Sequence, residues 1–122
     1  MANVLVVDDA LFMRKMLSDI LAKEGHQVIG QAENAKEAVA LYKKLKPDVV
    51  TLDIVMPEMD KMDSMKAIQE ILALNKEAKI VMVSAMGQQD LVVQSIRAGA
   101  KDFIVKPFEP KQVTEAVRRL LA

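Results

Sequence analysis

Short apolar runs alternate with longer amphipathic ones along this chain. Residues 4–7, 27–30, 49–52, 80–83 and 103–105 are brief, rich in Val and Ile, and bounded by charge or glycine. That pattern predicts five β-strands. Between them, apolar positions recur at helical spacing. Met13, Met16, Leu17, Ile20 and Leu21 form one stripe, which ends at Gly25, a natural C′ residue. Asn34 followed by Glu37 reads as a capping box for a second helix running to Leu45, and Pro47 prevents its extension. Asp60 is placed to cap a third helix carrying Met62, Met65, Ile68, Ile71 and Leu72. Val92, Val93 and Ile96 mark a fourth, closed by Gly99. Pro110 suits the first turn of a fifth, with Val113, Ala116, Val117 and Leu120 facing inward.

Five βα units without a long linker or repeat predict one α/β domain. Uniformly apolar strands argue for a parallel sheet with helices on both faces. Right-handed crossovers then narrow the topology to a doubly wound sheet. The pattern alone does not order the strands.

Composition narrows the function classes. The 122 residues fit a single domain, and a hydrophobic fraction of 52% supplies a full core. Lys+Arg and Asp+Glu both number 17, so bulk charge points to neither a nucleic-acid nor a membrane-surface binder. Cysteine is absent, which removes disulfides and thiolate metal sites. No signal peptide and no apolar run of about 20 residues is present. The expectation is a cytoplasmic protein without membrane insertion.

The unusual polar residues fall at the carboxyl ends of the predicted strands, where such sheets bind ligands. Strand one ends in Asp8-Asp9, strand three in Asp53, strand four in Ser84 and strand five in Lys106-Pro107. Two carboxylates at the ~4.8 Å spacing of neighbouring strands repel by roughly 3 kcal/mol at an effective dielectric near 20. A cation relieves this, and hard oxygen donors with few other ligands suit Mg²⁺. A metal beside Asp53, with Lys106 and backbone N–H groups, would neutralise an incoming phosphoryl group. Asp53, ionised at neutral pH, would then be the nucleophile and an acyl phosphate the product.

The elements "VVDDA", "LDIVMPEMD", "VSAMG" and "AGAKDFIVKPF", in this order at strand ends, resemble the receiver domain of two-component response regulators. The resemblance spans residues 4–121. It implies a flavodoxin-like (βα)5 fold with strand order 2-1-3-4-5. It also implies one receiver domain over residues 1–122, with no output domain. Asp53 is then the phosphoacceptor, and Asp9 a direct Mg²⁺ ligand. Asp8 acts through bound water, and the Val55 carbonyl completes the set, with Mn²⁺ as an alternative ion. Lys106 pairs with Asp53 or the phosphoryl oxygens, and the Lys106–Pro107 bond is cis. Ser84 bonds the phosphoryl group, and Phe103 swings into the vacated space, altering the surface formed by the fourth helix, fifth strand and fifth helix. The "SAMGQQ" stretch is most similar to stand-alone chemotaxis receivers. The implied partners are a chemotaxis histidine kinase, a motor switch or adaptor, and a phosphatase, with the protein acting as a monomer that binds no nucleic acid.

Some positions depart from that pattern. Lys61 stands where the family usually has glycine, and Val55 and Met86 are apolar where polar side chains often assist hydrolysis. Slow unaided dephosphorylation is expected. Two other functions compete: a scaffold that has lost phosphorylation through Lys61, and a phosphatase with an aspartyl-phosphate intermediate. Val55 cannot supply the second acid such a phosphatase uses, so a turnover enzyme is not expected. Taken singly, Asp9 reads as an N-cap for the first helix, Asp53 and Ser84 as turn residues, and Lys106 as an exposed lysine. Phe103 fits plain core as well as a switch. Met56, Met59, Met62 and Met65 read as loop and packing residues rather than a Cu(I) site. His26, at a helix exit, reads as structural.

Overall fold

The structure is a computed structural model that describes residues 2–54 and 62–122, the side chains of Met62 and Asp63 excepted. The elements alternate as β1 (Asn3–Val7), α1 (Leu11–Lys23), β2 (Gln27–Ala32), α2 (Ala35–Leu45), β3 (Val49–Asp53), α3 (Met62–Leu74), β4 (Ile80–Ala85), α4 (Gln89–Ala98), β5 (Asp102–Lys106) and α5 (Pro110–Leu121). All strand pairs are parallel, in the order β2-β1-β3-β4-β5. This is the flavodoxin-like doubly wound sheet.

Alternation along each strand divides the core into two layers. Leu5, Val7, Val50, Leu52 and Met82 pack with Ala38 and Tyr42 of α2 and Ile68 and Ile71 of α3. Val4, Val6, Val49 and Val81 pack on the other face with Leu17 and Leu21 of α1 and Val113 and Val117 of α5. Burying each such aliphatic side chain contributes about 1.5–3 kcal/mol before the entropy of ordering it.

Helix ends follow local chemistry. Asn34 Oδ1 accepts from the Glu37 N–H at 2.8 Å, and Glu37 Oε1 accepts from the Glu33 N–H at 3.2 Å. Gly25 (φ 85°) follows α1, and Gly99 (φ 123°) caps α4; both conformations disfavour any residue with a Cβ. Gly99 also sits so close to Leu72 that a Cβ would lie 2.1 Å from its Cδ1.

One reading of a residue taken singly is ruled out, and one expectation changes. Asp9 is not the N-cap of α1: that place belongs to Ala10, whose N–H donates to Asp8 Oδ1 at 2.9 Å. The apolar stripe of α4 is only partly core. Val92 packs against the buried layer, whereas Val93 and Ile96 are exposed. The reason is geometric: β5 is an edge strand, and its Phe103 and Val105 face outward, with Phe103 44% exposed. A groove of about 670 Å³ runs between α4 and β5, lined by Val93, Ile96, Phe103 and Val105 and reaching Ser84 and Met86 at one end. Plain core is therefore excluded for Phe103. The proposed Asp60 cap, Lys61, Met56 and Met59 lie outside the described residues; Met65 is buried in the core, as a packing role requires. No helix among the described residues is long and apolar enough to cross a membrane.

Candidate functional site

The carboxyl edge of the sheet gathers side chains that are far apart in sequence. Central strands β1 and β3 are adjacent, so Asp8, which directly follows β1, and Asp53, which ends β3, emerge side by side. Asp9 joins them from the turn into α1. One oxygen from each of Asp8, Asp9 and Asp53 lies within 4.8 Å of the others. Asp8 and Asp53 are buried, and Asp9 is partly exposed.

Lys106 supplies the opposing charge. It ends β5, at the far side of the crevice, and its ammonium reaches across to Asp8 Oδ2 at 3.4 Å and Asp53 Oδ2 at 3.5 Å. The Lys106–Pro107 bond is cis, as the resemblance implies. One ammonium against three carboxylates leaves the lip of the crevice strongly negative. The pKa of Asp9 is held above the ordinary 3.8, by burial first, then by the neighbouring Asp8 carboxylate and a hydrogen bond with that carboxyl. A group of hard oxygen donors, short of positive charge and open on one side, fits a divalent cation such as Mg²⁺ that keeps part of its water shell. Asp8, Asp9 and Asp53 are the side chains that would hold it. The Val55 carbonyl lies outside the described residues.

The backbone beneath the site is held by residues that pattern reading did not single out. Asp8 N–H donates to the Ala32 carbonyl at 3.0 Å, and the Arg14 guanidinium donates to the Asp8 carbonyl at 2.7 Å. Ser64, buried on α3, donates its hydroxyl to the Asp53 carbonyl at 3.1 Å. Arg14 and Ser64 lack a motif of their own; each acts on a main-chain atom, which leaves no trace in residue spacing.

Ser84 sits on β4, one residue beyond Val83, the partner of Asp53 in the ladder. It is 1% exposed, and its hydroxyl has no hydrogen-bond partner among the described residues. An orphaned buried hydroxyl beside Asp53 is available to an incoming oxygen without breaking an existing bond. Ser84 also lines the α4–β5 groove that Phe103 borders, so one residue belongs to both features. His26 is remote from this edge; its Nδ1 accepts from the Ala2 N–H at 3.0 Å, a structural role.

Comparison with known proteins agrees with this geometry. The response regulator receiver domain family matches residues 4–118. The chain is 57% identical to the chemotaxis protein CheY of Thermotoga maritima, over 97% of this chain and 96% of that one. It is 53% identical to CheY of Bacillus subtilis, over 98% and 97%. A solved complex of CheX, CheY, BeF3 and Mg²⁺ from Borrelia burgdorferi contains a chain that superposes with a TM-score of 0.89 at 39% identity, covering 98% of this chain and 89% of that one.

Proposed function

The chain belongs to the response regulator receiver family, closely related to CheY, and from that premise we propose how it signals. Asp53 accepts a phosphoryl group from a histidine kinase of the chemotaxis type, with Mg²⁺ held by Asp8, Asp9 and Asp53. The altered α4–β5–α5 surface then binds a motor switch or adaptor protein. The observation that carries this reading is the convergence of three carboxylates and the Lys106 ammonium from three segments of chain onto one point.

The chain's own residues divide the work. An Asp53 carboxylate oxygen attacks phosphorus as the bond to the donor's nitrogen or oxygen breaks, giving an acyl phosphate. Bound Mg²⁺ supplies charge neutralisation for the phosphoryl oxygens. Lys106, within 3.5 Å of Asp53, holds an oxygen of the group from the other side. Ser84 offers its unpartnered hydroxyl to another. That new bond draws Ser84 and its loop toward the site, away from the groove it shares with Phe103. Phosphorylation thereby favours one of two arrangements of the groove.

The crevice is built for one stoichiometric transfer rather than for turnover. Met86, 77% exposed beside the site, offers no group to activate water, so loss of phosphate is slow without a partner phosphatase. The CheX–CheY complex is in keeping with a partner protein that binds this chain. Intact mass measurement with acetyl phosphate tests the proposal. Wild type with Mg²⁺ gains one phosphoryl group, whereas Asp53→Asn gains none. Multiple turnovers on a phosphate ester would instead identify a phosphatase, and neither metal binding nor labelling would leave a scaffold.

A further inference from the structure

We propose that Arg14 is a positioning residue for the ion site, acting through the main-chain carbonyl of Asp8; this rests on the phosphorylation reading above. Arg14 lies in the first turn of α1, and its side chain turns back to the ends of the two strands beside it. Nη1 donates to the Asp8 carbonyl at 2.7 Å, and Nε donates to Gln31 Oε1 at 3.1 Å. Gln31 is the ladder partner of Val6, near the end of β2. The guanidinium thus ties β1, β2 and α1 together directly under the acidic crevice.

The consequence falls on Asp9. The carbonyl of Asp8 and the N–H of Asp9 share one rigid plane. Holding that oxygen fixes the rotation of the plane from which Asp9 projects. Asp8 itself needs little help, because Ala10 N–H holds Oδ1 and Lys106 holds Oδ2. Asp9 sits in the short turn between β1 and α1, one peptide plane beyond that carbonyl. Its aim toward the ion therefore depends on how firmly that segment is held. A guanidinium can serve the carbonyl and Gln31 at once from a planar fork, and a lysine ammonium is a single point that cannot reproduce it.

The test is Mg²⁺ calorimetry on wild type, Arg14→Met, Arg14→Lys and Gln31→Met, with thermal melts in Mg²⁺-free buffer. Arg14→Met raises the Mg²⁺ dissociation constant roughly tenfold or more, in line with loss of other outer-sphere partners. Arg14→Lys restores part of the loss. Gln31→Met, a change at an exposed position that leaves the core intact, weakens binding in the same direction and by less. A purely structural Arg14 would lower the metal-free melting temperature and leave Mg²⁺ affinity unchanged. Affinities of Arg14→Met and Gln31→Met equal to wild type overturn the proposal alone. Wild type that binds no Mg²⁺ removes the phosphorylation reading, and this inference with it.

Discussion

Replacing Asp9 by Asn keeps the side chain's shape and removes one charge from the crevice. Asp9 faces two carboxylates whose oxygens come within 4.8 Å. At an effective dielectric near 20 each such pair repels by roughly 3 kcal/mol. Lys106 pairs with Asp8 and Asp53 rather than with Asp9 and offsets only part of this, which leaves at least roughly 3 kcal/mol of net repulsion at that dielectric. Asp9 is partly exposed, so solvent screening reduces this to about 1–1.5 kcal/mol. For a domain of this size that corresponds to a rise in Tm of about 4–6 °C in Mg²⁺-free buffer at neutral pH. The pH dependence follows from the direction of the Asp9 shift. Its native pKa is raised above 3.8 by burial first and by Asp8 second. The fold therefore favours the protonated acid, and that advantage is lost as pH rises through the native pKa. The gain from Asn appears above that pH and fades in acid toward 3.8. Saturating Mg²⁺ reverses the order, because ion binding at about a hundred times its dissociation constant stabilises wild type by about 2.7 kcal/mol. Calorimetric melts of both proteins, with and without Mg²⁺, check both signs. An Asn variant that melts at or below wild type without Mg²⁺ would refute the claim that the acids are crowded together.

Three further outcomes are expected. Ser84→Ala leaves metal-free stability unchanged or raises it by up to about 1 kcal/mol, since the buried hydroxyl has no partner to lose among the described residues; a clear loss in urea melts would show a hidden bond. Gly99→Ala costs about 1–2 kcal/mol, chiefly from a φ of 123°, with the Leu72 side chain turning aside to make room; a cost under about 0.5 kcal/mol contradicts the described α4 terminus. The His26 pKa is lowered from 6.5, by burial first and the amino-terminal charge second, and its Nδ1 must stay unprotonated to accept from Ala2. Stability therefore falls as pH drops from 6.5 through the lowered native value, and denaturant melts of His26→Gln should lose that slope.

Much of this was legible in the chain because the signals are local. Runs such as residues 4–7 and 80–83 declare themselves by β-branching and length, and Asn34 with Glu37 marks its helix start through bonds within one turn. Strand order was not local: right-handed crossovers fix the hand of each unit but not which strands meet, so the order came through resemblance. The site residues were visible as carboxylates ending apolar strands, a costly arrangement without a compensating charge. The exposure of Val93, Ile96 and Phe103 was hidden, because an apolar stripe looks the same whether or not a neighbouring element covers it. Arg14 and Ser64 were hidden for another reason: each holds a main-chain carbonyl, an atom every residue offers.

The central claim is that the Asp8–Asp9–Asp53 cluster directs a phosphoryl group to Asp53 alone. Borohydride reduction after acetyl phosphate treatment, followed by peptide sequencing in a mass spectrometer, reads this directly, since reduction converts an acyl phosphate of aspartate to homoserine. The expected result is homoserine at position 53, dependent on Mg²⁺. Homoserine at position 8 or 9, or equal labelling in a chelator, would contradict the account.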